Sequence, residues 1–189
     1  METRDRILDV AQELVQTIGA NAMSYQHISD AVGIRKASIH HHFPSKEKLI
    51  EDLVERYMNY FFELVDGITA SKKSGAGKVR DYISLYEGTL REGTHNKACM
   101  MGMLGAEVRS LGEIAAERVR QFYSQNEKRL TLILAEGKKD GSLSFKGSPE
   151  ALAGMIFAFL EGALLVARGR GKPEHFREAA NQMLRMIEK

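Results

Sequence analysis

Residues 25–46 read YQHISDAVGIRKASIHHHFPSK, and the fold turns on this stretch. Ile28, Ala31 and Val32 are spaced i, i+3, i+4, which puts them on one face of a short helix. Gly33 follows, free to take the positive φ that turns a chain out of a helix. Ile34, Ile39 and Phe43 supply the apolar positions of a second short helix that folds back onto that face, and Pro44 stops it. Left exposed on the second helix are Arg35, Lys36, Ser38, His40 and His41. These are donors of a length and type suited to phosphates and base edges. Two short helices joined in this way form a helix-turn-helix, and DNA is the partner the pattern implies.

The rest of the chain bounds that reading. Its 189 residues are 43% apolar, enough for a proper core, and the net charge of +2 gives no general basic coat. Affinity for DNA must therefore be local: Arg35, Lys36, Lys46 and Lys48 stand against Glu47 alone between Gly33 and Lys48. A single cysteine excludes an internal disulfide and suits a reducing cytosol. The N-terminus is charged from Glu2 onward, unlike a signal peptide. The longest apolar run, Ala151 to Ala167, is broken by Glu161 and two glycines and falls short of the ~20 residues a membrane span needs. A soluble cytoplasmic protein with no membrane partner is expected.

Taken in order, the chain reads as all-α. Thr3 is the expected cap of a first helix carrying Ile7, Ala11, Leu14, Val15 and Ile18 and ended by Gly19. Ser24 caps the helix that carries Ile28, and Ser45 caps one carrying Leu49, Leu53, Val54, Tyr57 and Phe61, running to Ala70. The stretch SKKSGAGK, Ser71 to Lys78, is expected as a loop and domain boundary. This separates a DNA-binding domain, residues 1–47 continuing into the linking helix, from a larger helical domain, 71–189. Beyond the boundary, Val79, Tyr82, Ile83 and Tyr86 start a helix ending near Gly93, and Thr94 to Lys97 reads as a loop. Ser110 and Glu113 form a capping box that opens a long helix to Gly137. Ser148-Pro149-Glu150 is a strong helix start, and a last helix runs from Pro173 to the C-terminus. No segment alternates in the manner of a strand.

The head of the chain resembles the DNA-binding domain of the TetR family of bacterial transcriptional regulators. The resemblance rests on Ala31-Val32-Gly33-Ile34, Ser38-Ile39, His41-His42-Phe43-Pro44-Ser45-Lys46 and the following Leu49. It implies an all-α homodimer with a three-helix helix-turn-helix head and a larger body that binds an effector and dimerises. It also implies repression of transcription, relieved when a small molecule occupies the body; a DNA-binding protein that needs no ligand is the alternative. Carried over by position, DNA contacts fall on Ser24, Tyr25 and Gln26, on Arg35, Lys36, Ala37, Ser38, His40 and His41, and on Lys46. Lys46 opens a helix whose free N–H groups also favour a phosphate, so it is read as a positioning contact. Arg35 and Lys36 are long enough to reach guanine O6 and N7. Position 40 is usually tyrosine in the family and is histidine here.

The body must account for pairing and sensing. Gly154, Ala158 and Gly162 recur every four residues on one face of the helix after Pro149, with Leu165 beyond them, and small residues on one stripe admit a close neighbour. The other faces are apolar too, so this helix is expected to be buried all round, half of it in a two-fold dimer. Such a dimer would space two recognition helices ~34 Å apart to read a palindromic operator. Candidate effector contacts are Tyr82, Tyr86, Cys99, Met103, Phe122, Asn126, Met155 and Phe159, an adaptable apolar set. Cys99 has two readings. It lines the core or pocket, or it is a redox switch. The second comes from a resemblance to the TetR branch that senses electrophiles through a cysteine, although the Gly-Cys pair and lysine of that branch are here Ala98-Cys99 and Arg168. The run His40-His41-His42 is not a metal site, because consecutive helical residues diverge by about 100° and no ligand lies at i+4. No cofactor is expected, and no P-loop, G-x-S-x-G or H-E-x-x-H points to an enzyme.

Overall fold

The computed structural model describes residues 2–91 and 97–189, the side chain of Arg91 excepted. Among these residues nine α-helices follow one another: α1 (Thr3–Ala22), α2 (Tyr25–Val32), α3 (Lys36–His42), α4 (Lys46–Ala70), α5 (Gly75–Arg91), α6 (Met100–Ala106), α7 (Glu113–Asp140), α8 (Pro149–Arg170) and α9 (Glu174–Arg185). The fold is all-α, and the extended pairing among the described residues is one antiparallel bridge between Leu143 and Glu188. The expected helix end near Gly93 and the loop beginning at Thr94 lie outside the described residues. The chain gathers into two compact units, Met1–Asn59 with Met100–Phe122, and Tyr60–Cys99 with Tyr123–Lys189.

In the first unit α1 packs on α2 and α6, and α2 packs on α3. Ile7, Leu8, Ala11, Val15, Ile28, Ile39, Phe43, Leu49 and Leu53 fill its core. The helix-turn-helix forms as its local chemistry dictates. Ser24 Oγ accepts the His27 N–H at 3.3 Å, and Gly33 closes α2 in the left-handed region at φ 76°. Ser45 Oγ accepts the Lys48 N–H at 3.1 Å to open α4. Four expectations change. Ala31 is exposed, and Arg6 reaches the end of α2 by donating to the Val32 carbonyl at 2.8 Å. Ile18 is exposed, because the backbone leaves helical geometry at Gly19 and Leu8 joins the buried stripe. Thr3 lies inside α1, and Glu2 stands at the cap without a side-chain bond. Ser110 does not cap α7. It sits in a 3-10 turn, Val108–Ser110, donating to Asn21 Oδ1 and the Glu107 carbonyl, while the first helical bond of α7 goes to Gly112.

In the second unit α8 and α9 pair as a hairpin turned at Gly171, and α5 packs on both. Tyr82, Leu130, Ile133, Leu134, Ile156, Leu160, Leu164 and Phe176 are buried there. The glycine-rich boundary is shorter than expected, because Gly75-Ala76-Gly77-Lys78 is the first turn of α5. Its N–H groups are capped from a distance: Asp140 Oδ2 accepts from Gly75 at 2.8 Å and Ser142 Oγ from Ala76 at 3.0 Å. Gly75 lies directly against the backbone of Gly137, so a Cβ at Gly75 has no room. α8 begins as read, with Ser148 Oγ accepting from Ala151 and Pro149 in the first turn. Within the single chain it is buried on one side. Leu152, Ala153, Ile156, Phe157, Leu160, Leu164 and Ala167 face inward, while Met155, Ala158, Gly162, Leu165 and Val166 form an exposed apolar stripe. Among the described residues α8 is the one helix long and apolar enough to cross a membrane by length and composition. α9 stops at Arg185, short of the C-terminus, where Glu188 pairs with Leu143.

Candidate DNA-binding surface and effector cluster

The DNA-facing candidates come together in the first unit. Burial of Ile39 and Phe43 fixes the inner side of α3 and leaves Arg35, Lys36, Ala37, Ser38, His40 and His41 exposed. Ser29 Oγ donates to the Ile34 carbonyl at 2.6 Å and so tightens the turn between α2 and α3. Arg35 is the N-cap of α3 in extended geometry, so a cation stands beside the unpaired N–H groups of that helix end. At the other end of α3, Tyr25 and His40 brace one another. The Tyr25 hydroxyl donates to the Phe43 carbonyl at 2.8 Å, and its ring meets the His40 ring edge-on at 4.7 Å. His40 Nδ1 lies 3.4 Å from the Pro44 carbonyl oxygen. Burial pushes the Tyr25 phenol up to about 12, which keeps it a proton donor at neutral pH. The histidine that replaces the family's usual tyrosine therefore has a task inside the head. Gln26 Nε2 donates to Asp30 at 2.6 Å, and Lys46 Nζ donates to the Asn21 carbonyl at 3.2 Å. The Lys46 ammonium keeps two further N–H donors and the Gln26 amide one, besides its carbonyl oxygen.

In the second unit three of the effector candidates are joined directly. Asn126 Nδ2 donates to the Tyr82 hydroxyl at 2.7 Å and approaches the Tyr86 hydroxyl at 3.4 Å, and the two hydroxyls share a bond at 3.1 Å. All three side chains are buried, and burial pushes both phenols well above their ordinary range. Cys99 is buried beside them and donates to the carboxyl of Glu161 on α8. Burial pushes the Glu161 carboxyl up to about 7, with the Cys99 bond drawing it partly back. A carboxyl group beside Cys99 disfavours a thiolate there. The Tyr123 ring packs on Phe157 at 5.4 Å and feels the Glu161 charge.

The remaining candidates lie elsewhere. Phe159 is half-buried on α8, and Met155 sits on the exposed stripe with Ala158 and Gly162. Met103 on α6 and Phe122, packed on Tyr57 at 6.1 Å, belong to the first unit. Of the pairing residues, Gly162 has nothing near its Cβ position, and Gly154 only Glu127 Oε1 at 3.8 Å. Sequence reading did not single out Glu161, whose carboxyl joins this cluster. Its signal in the sequence is a lone acid inside an apolar run. Among the described residues no group of three or more His, Cys, Asp or Glu is placed to hold a metal ion.

Comparison with known proteins agrees with this geometry. The family model for bacterial regulatory proteins of the tetR family matches residues 7–53, and that for the tetracyclin repressor-like C-terminal domain matches residues 75–183. A TetR-family transcriptional regulator from Agrobacterium tumefaciens superposes with a TM-score of 0.92 at 33% identity, covering 98% of this chain and 97% of its own. A TetR regulator from Legionella pneumophila gives 0.87 at 28%, covering 100% and 98%. The nucleoid occlusion factor SlmA of Vibrio campbellii is 27% identical over 162 residues, 85% of this chain and 81% of that one. With its head and its body both matched, the chain belongs to the TetR family, DNA-binding transcriptional regulators with a ligand-binding C-terminal domain.

Proposed function

We propose that two copies of the chain read a palindromic operator, one α3 in each of two successive major grooves, and repress the adjoining gene until a small molecule occupies the second unit. The observation that carries this is the exposed row Arg35, Lys36, Ser38, His40 and His41 on a helix whose opposite side is locked by Ile39 and Phe43. Pairing through α8 is supported by its exposed apolar stripe, where Met155 is 52% and Val166 53% exposed on a helix otherwise in the core. A stripe lined by Ala158 and Gly162 lets a second backbone approach closely. The effector acts by binding more tightly to the dimer that does not fit the operator, and the loss of DNA affinity equals that difference. The site of action is the cytoplasm, where the DNA is.

Selection of bound DNA from a random pool, followed by titration at several salt concentrations, tests this reading. A two-fold-symmetric consensus is expected. If about eight phosphates are neutralised per dimer, log K falls with log salt at a slope near −7. An asymmetric consensus with a slope near half that value would mean a single head binds alone. An equal affinity for all sequences would exclude operator recognition.

A further inference from the structure

Four buried oxygens of the second unit have no hydrogen-bond partner among the described residues, and two of them, Glu161 Oε1 and Asn126 Oδ1, flank Tyr82 and Tyr86. Both acceptors belong to one cluster. Asn126 is bonded to Tyr82 and Tyr86, and those phenols, with Tyr123, feel the charges of Glu161 and Cys99. A buried acceptor left unpaired is costly, and a buried carboxyl without a counter-charge more so. The Asn126 amide N–H serves Tyr82, one phenol donates to the other, and the Cys99 thiol serves Glu161. What the cluster lacks is a donor that also carries positive charge, beside aromatic rings whose faces attract cations.

We propose that the effector of this regulator is an organic amine, a primary or secondary ammonium whose N–H groups bond Glu161 Oε1 and Asn126 Oδ1 among Tyr82, Tyr86 and Tyr123. This rests on the reading that the second unit binds an effector, and it names the chemical class. An anionic ligand would meet Glu161 as a like charge, and a neutral alcohol would satisfy one acceptor without compensating the carboxylate. A quaternary ammonium has the charge but no N–H to donate.

Calorimetry on the full-length protein tests the assignment with matched probes: phenethylamine, 2-phenylethanol, phenylacetate and trimethyl(phenethyl)ammonium, and a parallel hexyl series. Phenethylamine or hexylamine should bind about tenfold or more tightly than its alcohol, carboxylate and quaternary counterparts, as expected for a hydrogen bond to a charged acceptor. Glu161→Gln should erase that preference, while Glu161→Asp, which keeps the charge, should retain it. A preference for the alcohol or the carboxylate, an unchanged amine affinity in Glu161→Gln, or no amine binding at all would overturn the assignment, the last meaning that water satisfies both oxygens. DNA occupancy followed in the same titrations separates the two readings. If a neutral or anionic probe releases DNA, regulation by an effector stands and the amine assignment falls. If an amine binds as described without changing DNA occupancy, the amine site stands, but its role as the effector and the inducer reading both fall.

Discussion

Glu161→Gln should make the protein more stable at pH 8 and flatten the pH dependence of its stability. The Glu161 carboxyl is raised from 4.5 to about 7 by burial. The unfolded chain releases this proton near the ordinary carboxylate value, whereas the folded chain holds it until near neutrality. Between those values the native state binds more protons, so the free energy of unfolding falls as pH rises, and the loss is complete above the folded value. At 1.36 kcal/mol per pKa unit the full effect is about 3 kcal/mol. Glutamine keeps the shape and an acceptor for the Cys99 thiol but has no proton to lose. Urea unfolding of both proteins at pH 5 and pH 8, at one protomer concentration, gives the comparison. The wild type should lose about 3 kcal/mol more than the variant across that interval. An identical pH dependence in the two proteins would refute the claim that Glu161 is buried without a counter-charge.

Three further substitutions probe other parts of the molecule. Gly75→Ala drives a methyl group into the Gly137 backbone and should cost about 1–3 kcal/mol in urea unfolding, as overpacking does elsewhere. Arg35→Ala should relax the selected consensus at one base pair per half-site, whereas Lys46→Ala should weaken all sequences alike and reduce the salt slope by about one per head. An unchanged consensus in the first variant would remove Arg35 from base reading. Ala158→Glu places an acid in the exposed stripe of α8 and should turn dimers into monomers in sedimentation velocity while leaving the helix content unchanged. A dimer that survives would move the pairing surface elsewhere.

The helix-turn-helix was legible because its determinants are short-range. Ser24, Gly33, Ser45 and Ser148 each act on backbone groups within a few residues, and the structure shows each of them acting as read. Where two such groups competed, short range misled. Ser110 has Glu113 at the right spacing for a capping box, yet its hydroxyl is taken by Asn21, 89 residues away, and Gly112 begins the helix instead. The glycines at 75 and 77 read as a loop because glycine disfavours helices in isolation. They are helical because Asp140 and Ser142 cap the turn from 65 and 66 residues away and because α7 comes too close for a side chain at Gly75.

By itself the sequence determined the all-α class, the DNA-reading motif and the small-residue stripe of α8, since spacing and local capping follow from covalent neighbours alone. It also pointed to Tyr82, Tyr86 and Asn126, though only as apolar-leaning positions on two helix faces. Which polar atoms on those faces meet was decided by tertiary packing. Only when α5, α7 and α8 assemble do Tyr82, Asn126, Cys99 and Glu161 share one buried cluster with two acceptors unpaired. Hydrogen bonding and desolvation depend on positions within a few ångströms, and residues far apart in the chain acquire such positions only through the fold.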